Sequence, residues 1–336
     1  MTTTPEPSQP REHGATHDQS GHRRVVILAG GLSHERDVSL RSGRRVAEAV
    51  AAAGVEASVR DVDAELMSWL RRERPDCVIP LLHGESGEDG ALREVLELAA
   101  IPYVGSTPAA ARLAFDKSIA KQVVSGVGIR TPASVSLPAD TFREVGAAAV
   151  MDALIERLGL PLFVKPAKGG SALGCSRVES PGELPNAMVT CFSYGATALV
   201  ERCVRGVEVT VPVFERAGSE AAARALPAVE IRPDGGVYDY SARYTAGATE
   251  FVVPATLDDV TAAECARVAE LAHSSLGLRD LSRSDLIVDD DGVVWFLEVN
   301  VAPGMTETSL VPLSVESAGL NLGGLFVELV ERAISR

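Results

Sequence analysis

Apolar positions follow two rhythms along this chain, and the change of rhythm marks the elements. Val25 to Leu28 and Cys77 to Leu82 are short unbroken apolar runs, as expected of strands covered on both faces in a parallel sheet. Each leads through a glycine-containing loop into a helical stripe. Val46, Ala49, Val50 and Ala53 form the first stripe, ending near Ala53; Leu92, Val95, Leu96 and Ala99 form the second. Thr107 to about Val127 reads as one helix with Asp116-Lys117 inside it, stopped by Gly128 to Pro132. Leu162 to Val178 reads as strand, glycine-rich loop, strand. Ala198 to Val204 is a strand becoming a connector, and Val207 to Val211 alternates as a half-buried strand. Thr245 to Val253, irregular and rich in small residues, reads as a lid. Amphipathic helices are predicted over Thr261 to Leu276 and Leu322 to Ile334.

Between those last helices lies the most informative pattern. Leu286 to Val288 and Val293 to Leu297 flank Asp289-Asp290-Asp291-Gly292, a hairpin turn whose glycine takes positive φ at no steric cost. Folding back there brings Asp285 to the same end of the ribbon as Glu298 and Asn300. Residues two apart on a strand share a face, so Glu298 and Asn300 point together and Val299 points away. Two carboxylates and an amide suit a hard cation such as Mg²⁺ that leaves positions for phosphate oxygens. A hairpin merely ending in polar residues is the competing reading. Arg283 and Pro303-Gly304 add a fixed cation and a free backbone amide.

In Lys165-Pro166-Ala167-Lys168-Gly169-Gly170-Ser171-Ala172-Leu173-Gly174 the lysine precedes the glycines and a strand follows, so the segment is not a P-loop. Its backbone amides can still cover phosphates while Lys165 supplies a point charge. Glu35 and His83 each stand just beyond the carboxyl end of a predicted strand, where open α/β sheets bind ligands. On the residues alone, a solvated loop glutamate is the favoured reading of Glu35, and a lone histidine is more often structural, although the strand-end position of His83 favours function.

The chain's 336 residues are enough for two or three domains, and 46% hydrophobic with 23% charged residues describes a soluble globular protein. A formal net charge of −14 argues against nucleic acid or an anionic membrane as partner, since both need a clustered basic surface. A nucleotide site needs only a few local cations. The five cysteines are scattered with no Cys-x-x-Cys pair, as expected of reduced thiols in a cytoplasmic protein. No apolar run reaches membrane-spanning length, and residues 1–24, rich in Pro, Gly, Ser and His, are expected to form a disordered tail.

Arg-Ser-Asp from Arg283, Glu-Val-Asn from Glu298, Pro-Gly-Met-Thr from Pro303, the Lys165 glycine hairpin and His-Gly-x-x-Gly-Glu-Asp-Gly from His83 occur together, with Tyr-Asp-Tyr-Ser-Ala-Arg-Tyr from Tyr238. That set resembles the ATP-grasp superfamily and, within it, the D-alanine:D-alanine ligases, over roughly Val25 to Ala333. The resemblance implies a three-domain α/β ATP-grasp fold: an amino-terminal parallel-sheet substrate domain at 25–105, then α+β domains at 106–200 and 201–336 that clasp ATP. It implies Lys117 and Lys165 on the α- and β-phosphates under the Gly169, Gly170, Ser171 and Gly174 hairpin. Glu201, Arg202 and the Val204 backbone would meet adenine, Glu208 the ribose and Arg243 the γ-phosphate. Asp285, Glu298 and Asn300 would hold two Mg²⁺ ions, or Mn²⁺. Glu35 would bind the ammonium of the first D-alanine. Tyr244 would join Ser171 and Glu35 in a hydrogen-bonded set that pins the lid over the substrates and favours an amine acceptor, and His83 would contact substrate. Arg283 and the Gly304 amide would meet the oxyanion, and Ser309 with the Leu310 amide the second carboxylate. A homodimer serving peptidoglycan synthesis is expected. Val301-Ala302 replaces a usual Thr, Ala172 a common second Ser and Arg243 a usual Lys. These departures keep open a paralogue whose acceptor is D-serine, D-lactate or another amino acid. A catalytically silent nucleotide-binding protein is the reading from another class.

Overall fold

The computed structural model describes residues 23–215, 223–234 and 247–336, and three sheets organise them. The first is parallel, in the order β2-β1-β3, from β1 (Arg24–Leu28), β2 (Glu56–Arg60) and β3 (Cys77–Pro80). The second is antiparallel, in the order β4-β7-β5-β6, from β4 (Ser134–Pro138), β5 (Leu162–Pro166), β6 (Ser176–Val178) and β7 (Thr197–Arg202). The third runs β11-β10-β8-β12-β13, with β9 on the side of β8. Its strands are β8 (Val207–Glu215), β9 (Ala223–Ala225), β10 (Val229–Pro233), β11 (Thr249–Val252), β12 (Leu281–Val288) and β13 (Val294–Asn300). The helices in chain order are α1 (Arg36–Ala52), α2 (Leu66–Glu73), α3 (Glu85–Glu88), α4 (Ala91–Leu98), α5 (Pro108–Phe115), α6 (Lys117–Gly126), α7 (Ala139–Val145), α8 (Ala147–Leu158), α9 (Leu184–Phe192), α10 (Asp259–Ser275), α11 (Leu310–Ser317) and α12 (Leu322–Ser335). None is by itself long and apolar enough to cross a membrane.

The apolar clusters follow the sheets rather than the chain order. Val25 and Ile27 of β1 pack with Val46 and Val50 of α1 and with Phe326, Leu329 and Val330 of α12, so the last helix closes the first sheet. Leu28 and Val78 pack on the other face with Leu70, Leu92 and Leu96. α7, α8 and α9 cover the second sheet. Ala111, Ala114, Ala120 and Val124 of α5 and α6 join Val209, Val211, Ala269, Ala272, Leu286 and Phe296 under the third sheet. α5 and α6, which open the segment expected to start at residue 106, thus pack on the third sheet.

Several expectations need correction, each for a physical reason. The single helix over Thr107 to Val127 is two helices. Asp116 is extended (φ −87, ψ 102) and its carboxylate caps α6 by accepting from Ser118 N at 3.1 Å and Ile119 N at 3.3 Å. A short acidic side chain satisfies orphan amides at a helix start better than it serves a helix interior. Thr107 caps α5 in the same way, accepting from Ala110 N at 3.2 Å. β8 is not half-buried: it lies between β10 and β12, and its polar position Thr210 is fully covered. β2 is not evident in the sequence because an edge strand with no fully buried residue has no continuous apolar run. Thr249–Val252, inside the expected lid, is strand β11, paired to β10 through Glu230↔Val252 and Pro233↔Thr249. The tail was drawn two residues too long, since Arg23 ion-pairs with Glu331 and Arg24 begins β1, its N–H donating to Asp76 Oδ2 at 2.8 Å. Residues 1–22 and the segment from Tyr238 to Ala246, with Arg243 and Tyr244, lie outside the described residues.

Candidate active site

The hairpin of β12 and β13 sets the centre of the site. Its register pairs Arg283 with Asn300 and Asp285 with Glu298. Cross-strand partners share a face, so Arg283 and Asp285 join Glu298 and Asn300, which alternation had put together; a register shift between Asp285 and Leu286 makes this pairing. Arg283 grips Asp285 with both ends of its fork, Nε to Oδ1 at 2.9 Å and Nη2 to Oδ2 at 2.8 Å, and Thr210 Oγ1 donates to Oδ1 at 2.6 Å. Asn300 Oδ1 accepts from Ala302 N at 2.8 Å, which orients the amide. Among the described residues no three His, Cys, Asp or Glu side chains gather where a metal ion could be held. An all-oxygen set of two carboxylates and one amide fits a hard cation that completes its shell with phosphate and water oxygens.

On one side of this hairpin a cavity of about 490 Å³ opens between the second and third sheets. Lys117, Lys165, Gly169, Gly170, Glu201, Arg202, Val204, Glu208, Asp285 and Glu298 all line it, together with apolar Phe163, Leu173, Ile231, Ile287 and Leu297. Apolar walls combined with several cations suit a planar base carrying phosphates. Lys117 Nζ donates to Gly169 O at 2.6 Å and lies 3.4 Å from Glu298 Oε2, while the Lys117 N–H donates to Ala167 O at 2.9 Å. The break at Asp116 thus places Lys117 against the glycine loop. Gly174 does not line the cavity. It takes φ +73 where an added Cβ would meet Tyr194 and Pro166 at 3.0–3.1 Å, so its role is the turn itself.

The Glu201 carboxylate is buried between two lysines, Lys165 at 2.9 Å from Oε2 and Lys121 on Oε1. Lys121 was not singled out from the sequence, although its i+4 spacing from Lys117 places both on one face of α6. Burial penalises the Lys165 ammonium, but Glu201 and Glu298 outweigh that and hold it above its ordinary range. At Lys121 burial prevails over the attraction of Glu201, and its ammonium is held below the ordinary range.

A second cavity, about 120 Å³, lies on the other side and shares Lys117, Gly169, Gly170 and Glu298 with the first. Glu35, His83, Ser171, Arg283, Asn300, Gly304, Ser309 and Leu310 line it. Ser171 donates its hydroxyl to Glu35, from a backbone held in the left-handed region at φ 54. His83 is a buried strut: its Nδ1 meets Ala302 O at 2.9 Å and its Nε2 meets Ser42 Oγ at 3.1 Å. Ser42 Oγ also accepts from Met305 N at 3.0 Å. Burial pulls the imidazole below its usual range, so a neutral ring donating from Nδ1 and accepting at Nε2 satisfies both contacts. These bonds pin the 302–305 loop and with it the Gly304 amide. Gly304 itself has no room for a side chain, since a Cβ there would stand 2.8 Å from Ser309 Oγ.

Glu88 also lines the smaller cavity and was missed, because an acidic residue beside Asp89 in a loop reads as solvated. It is buried, accepts from Gly84 N at 3.0 Å, and burial together with the Glu35 charge pushes its carboxyl up to about 8. Ser309 receives Thr306 N at 2.9 Å and precedes α11 without capping it, so the Leu310 amide stands in the first turn of that helix.

Comparison with known proteins agrees with this geometry. The family described as D-ala D-ala ligase C-terminus matches residues 123–331, and D-ala D-ala ligase N-terminus matches 67–106. The chain is 39% identical over 310 residues to the D-alanine–D-alanine ligase of Bordetella petrii, covering 92% of each chain. It is 40% identical over 312 residues to that of Anaeromyxobacter sp., covering 93% of this chain and 96% of the relative. Among solved structures, the VanG D-Ala:D-Ser ligase from Enterococcus faecalis superimposes with a TM-score of 0.78 at 26% identity, over 93% of this chain and all (100%) of that one. The D-alanine–D-alanine ligase from Coxiella burnetii gives 0.76 at 25%, over 94% and 96%.

Proposed function

The chain belongs to the D-alanine–D-alanine ligase family, and from that premise we propose that it joins two D-alanines, converting ATP to ADP and phosphate, to supply a peptidoglycan precursor. One observation carries the reading: a nucleotide-sized cavity and an amino-acid-sized cavity meet at Lys117, Gly169, Gly170 and Glu298. A phosphoryl group leaving the first therefore arrives directly in the second.

A carboxylate is a poor electrophile. The carboxylate of the first D-alanine takes the γ-phosphoryl group, giving an acyl phosphate and ADP; the neutral amine of the second then attacks the acyl carbon. Phosphate leaves, the amine loses a proton, and the dipeptide remains. Lys117 and Lys165 hold and partly neutralise the phosphates, with positioning and charge as the main contributions expected in phosphoryl transfer. Mg²⁺, held by Asp285, Glu298 and Asn300, would supply Lewis-acid neutralisation of phosphate charge. Glu35, fixed by Ser171, holds the ammonium of the first substrate. The Gly304 amide and Arg283 face the carbonyl where negative charge develops. Ser309 and the start of α11, with the Leu310 amide, receive the carboxylate of the second D-alanine, since a helix amino terminus favours an anion. The larger cavity takes adenine beside Glu201, Arg202 and Val204, and ribose at Glu208. The domain division at 105 and 200, a homodimeric assembly and a cytoplasmic location belong to the same proposal.

The test is phosphate release from ATP with D-alanine, L-alanine, D-serine and D-lactate offered singly and in pairs, with products identified by mass. D-alanyl-D-alanine as the main product supports the reading. A mixed product moves the acceptor assignment to D-serine or D-lactate, and no release with any pair overturns it.

A further inference from the structure

Lys165 faces the nucleotide cavity, yet its charge is already engaged: Nζ lies 2.9 Å from Glu201 Oε2. A one-to-one buried ion pair is neutral from outside and attracts a polyanion weakly. Glu201, however, has a second cation. Lys121 contacts its other oxygen, Oε1, and also donates to Pro132 O at 2.9 Å. The three side chains are only 4% (Lys121), 3% (Glu201) and 6% (Lys165) exposed, so solvent screens this node little. Glu201, Lys165 and Pro132 line the cavity, whereas Lys121 stands behind them. Two ammonium groups on one carboxylate leave one net positive charge, on the side where Lys165 lines the cavity.

We propose that Lys121 is a positioning residue for nucleotide binding: it neutralises Glu201 from behind, so that the charge of Lys165 remains available to the phosphates. The proposal rests on the larger cavity being the ATP site. Lys121 touches no part of the nucleotide. Its effect on phosphate runs through Glu201, and its bond to Pro132 O braces the adjoining wall.

Calorimetric binding of ATP and of adenosine separates this from a merely structural role, because only ATP carries the charge that the node recognises. The readout is the ratio of the two affinities. Lys121→Met should weaken ATP by roughly tenfold, the size expected for losing one charge-assisted interaction, and adenosine by less than about twofold. Glu201→Gln removes the carboxylate and should raise the ratio above that of the native chain. The double variant Lys121→Met/Glu201→Gln again has one net charge and should return the ratio to near native. Equal losses of ATP and adenosine in Lys121→Met overturn the proposal, as does a double variant no better than Lys121→Met. If Lys121→Met fails to fold, the fall in ratio from Glu201→Gln to the double variant supports it, and the absence of a fall overturns it. A native chain that binds no ATP overturns the site reading itself; a native chain that binds ATP alongside a Lys121→Met variant with an unchanged ratio overturns only the role of Lys121.

Discussion

The two cavities that meet at Lys117 are built on opposite plans. The larger is walled by two facing sheets, and its charges come in lysine–carboxylate pairs fixed before any ligand arrives: Lys165 and Lys121 on Glu201, Lys117 near Glu298. The smaller is assembled from segments far apart in the chain, the Glu35 loop, the His83 loop, the glycine loop at Ser171 and the 300–309 segment, and it mixes acids (Glu35, Glu88, Glu298) with cations (Arg41, Lys117, Arg283). A nucleotide is large and polyanionic, so a rigid cationic wall suffices to hold it. An amino acid zwitterion is small, and its recognition requires several backbone segments to converge to within a hydrogen bond's tolerance. Precision in the second cavity therefore depends on struts such as His83 and Ser42, which spend their polar atoms on the protein.

The largest effect should come from the one carboxylate among the four residues common to both cavities. Glu298→Gln keeps volume and fold but removes a carboxylate from the place where phosphate and substrate meet. Turnover should fall by ~100-fold or more, on the order of 3 kcal/mol of lost transition-state stabilisation. Phosphate release at ordinary Mg²⁺ measures it, with an unchanged far-ultraviolet circular dichroism spectrum as the check on folding. Near-normal turnover would break the claim that the cavities share a reaction centre.

The contrast between the cavities also governs what could be read from the sequence. The hairpin was legible as a hairpin, and alternation put Glu298 and Asn300 on one face, but the pairing of Asp285 with Glu298 depends on a register shift between Asp285 and Leu286 that no sequence pattern announced; without it Asp285 would face Leu297. Lys165 and the glycine loop were legible as local punctuation. Lys121 and Glu88 were not, since each becomes distinctive only through a partner far along the chain: Glu201 for the first, and for the second burial beside Glu35. His83 was placed correctly at a strand end, but its contacts with Ala302 and Ser42 required the fold. The break at Asp116 was signalled by an acidic residue before Lys-Ser-Ile, a capping composition that the apolar stripe on either side concealed.

A middle-sized effect should separate the two plans. Glu35→Gln removes the negative charge facing the ammonium of the first D-alanine while leaving an acceptor for Ser171. Losing one charge-assisted hydrogen bond costs roughly 1–3 kcal/mol, so KM for D-alanine should rise on the order of tenfold or more. The dissociation constant for ATP should stay within about twofold, because Glu35 lines only the smaller cavity. Equal weakening of ATP and D-alanine would show that the cavities are not separable.

Glu88 gives a smaller effect, read as stability against pH. Its carboxyl is held at about 8 from a model-compound value of 4.5, by burial and by Glu35. Across that interval the folded state keeps a proton that the unfolded state has released, so the contribution of Glu88 to stability falls as pH rises from about 4.5 to about 8 and levels off above. Glu88→Gln, neutral at every pH and still able to accept from Gly84, abolishes that slope. Its Tm advantage over the native chain should therefore grow between roughly pH 5 and pH 8. Parallel Tm profiles for the two proteins would mean that Glu88 is ionised in the fold.

The smallest effect is expected at the far end of the same hairpin, outside both cavities. Trp295 Nε1 donates to Asp289 Oδ2 at 2.8 Å, and the other oxygen of Asp289 accepts from Val293 N at 2.9 Å and Asp291 N at 3.1 Å, so the acidic turn is tied by its own side chain. The bond from Trp295 and these backbone bonds hold the Asp289 carboxyl below its usual range. A depressed carboxyl stabilises the fold above its unfolded pKa and loses that contribution as pH falls through the folded value. Trp295→Phe should thus lower Tm by no more than a few degrees near neutral pH, and the gap to the native chain should shrink in acid. Turnover and both KM values should be unchanged. β12 is also paired to β8 from Leu281↔Phe214 to Val288↔Val207, so the alignment of Arg283 and Asp285 does not depend on the turn. A large loss of activity in Trp295→Phe would show that the turn, and not the neighbouring strand, sets the register of the site.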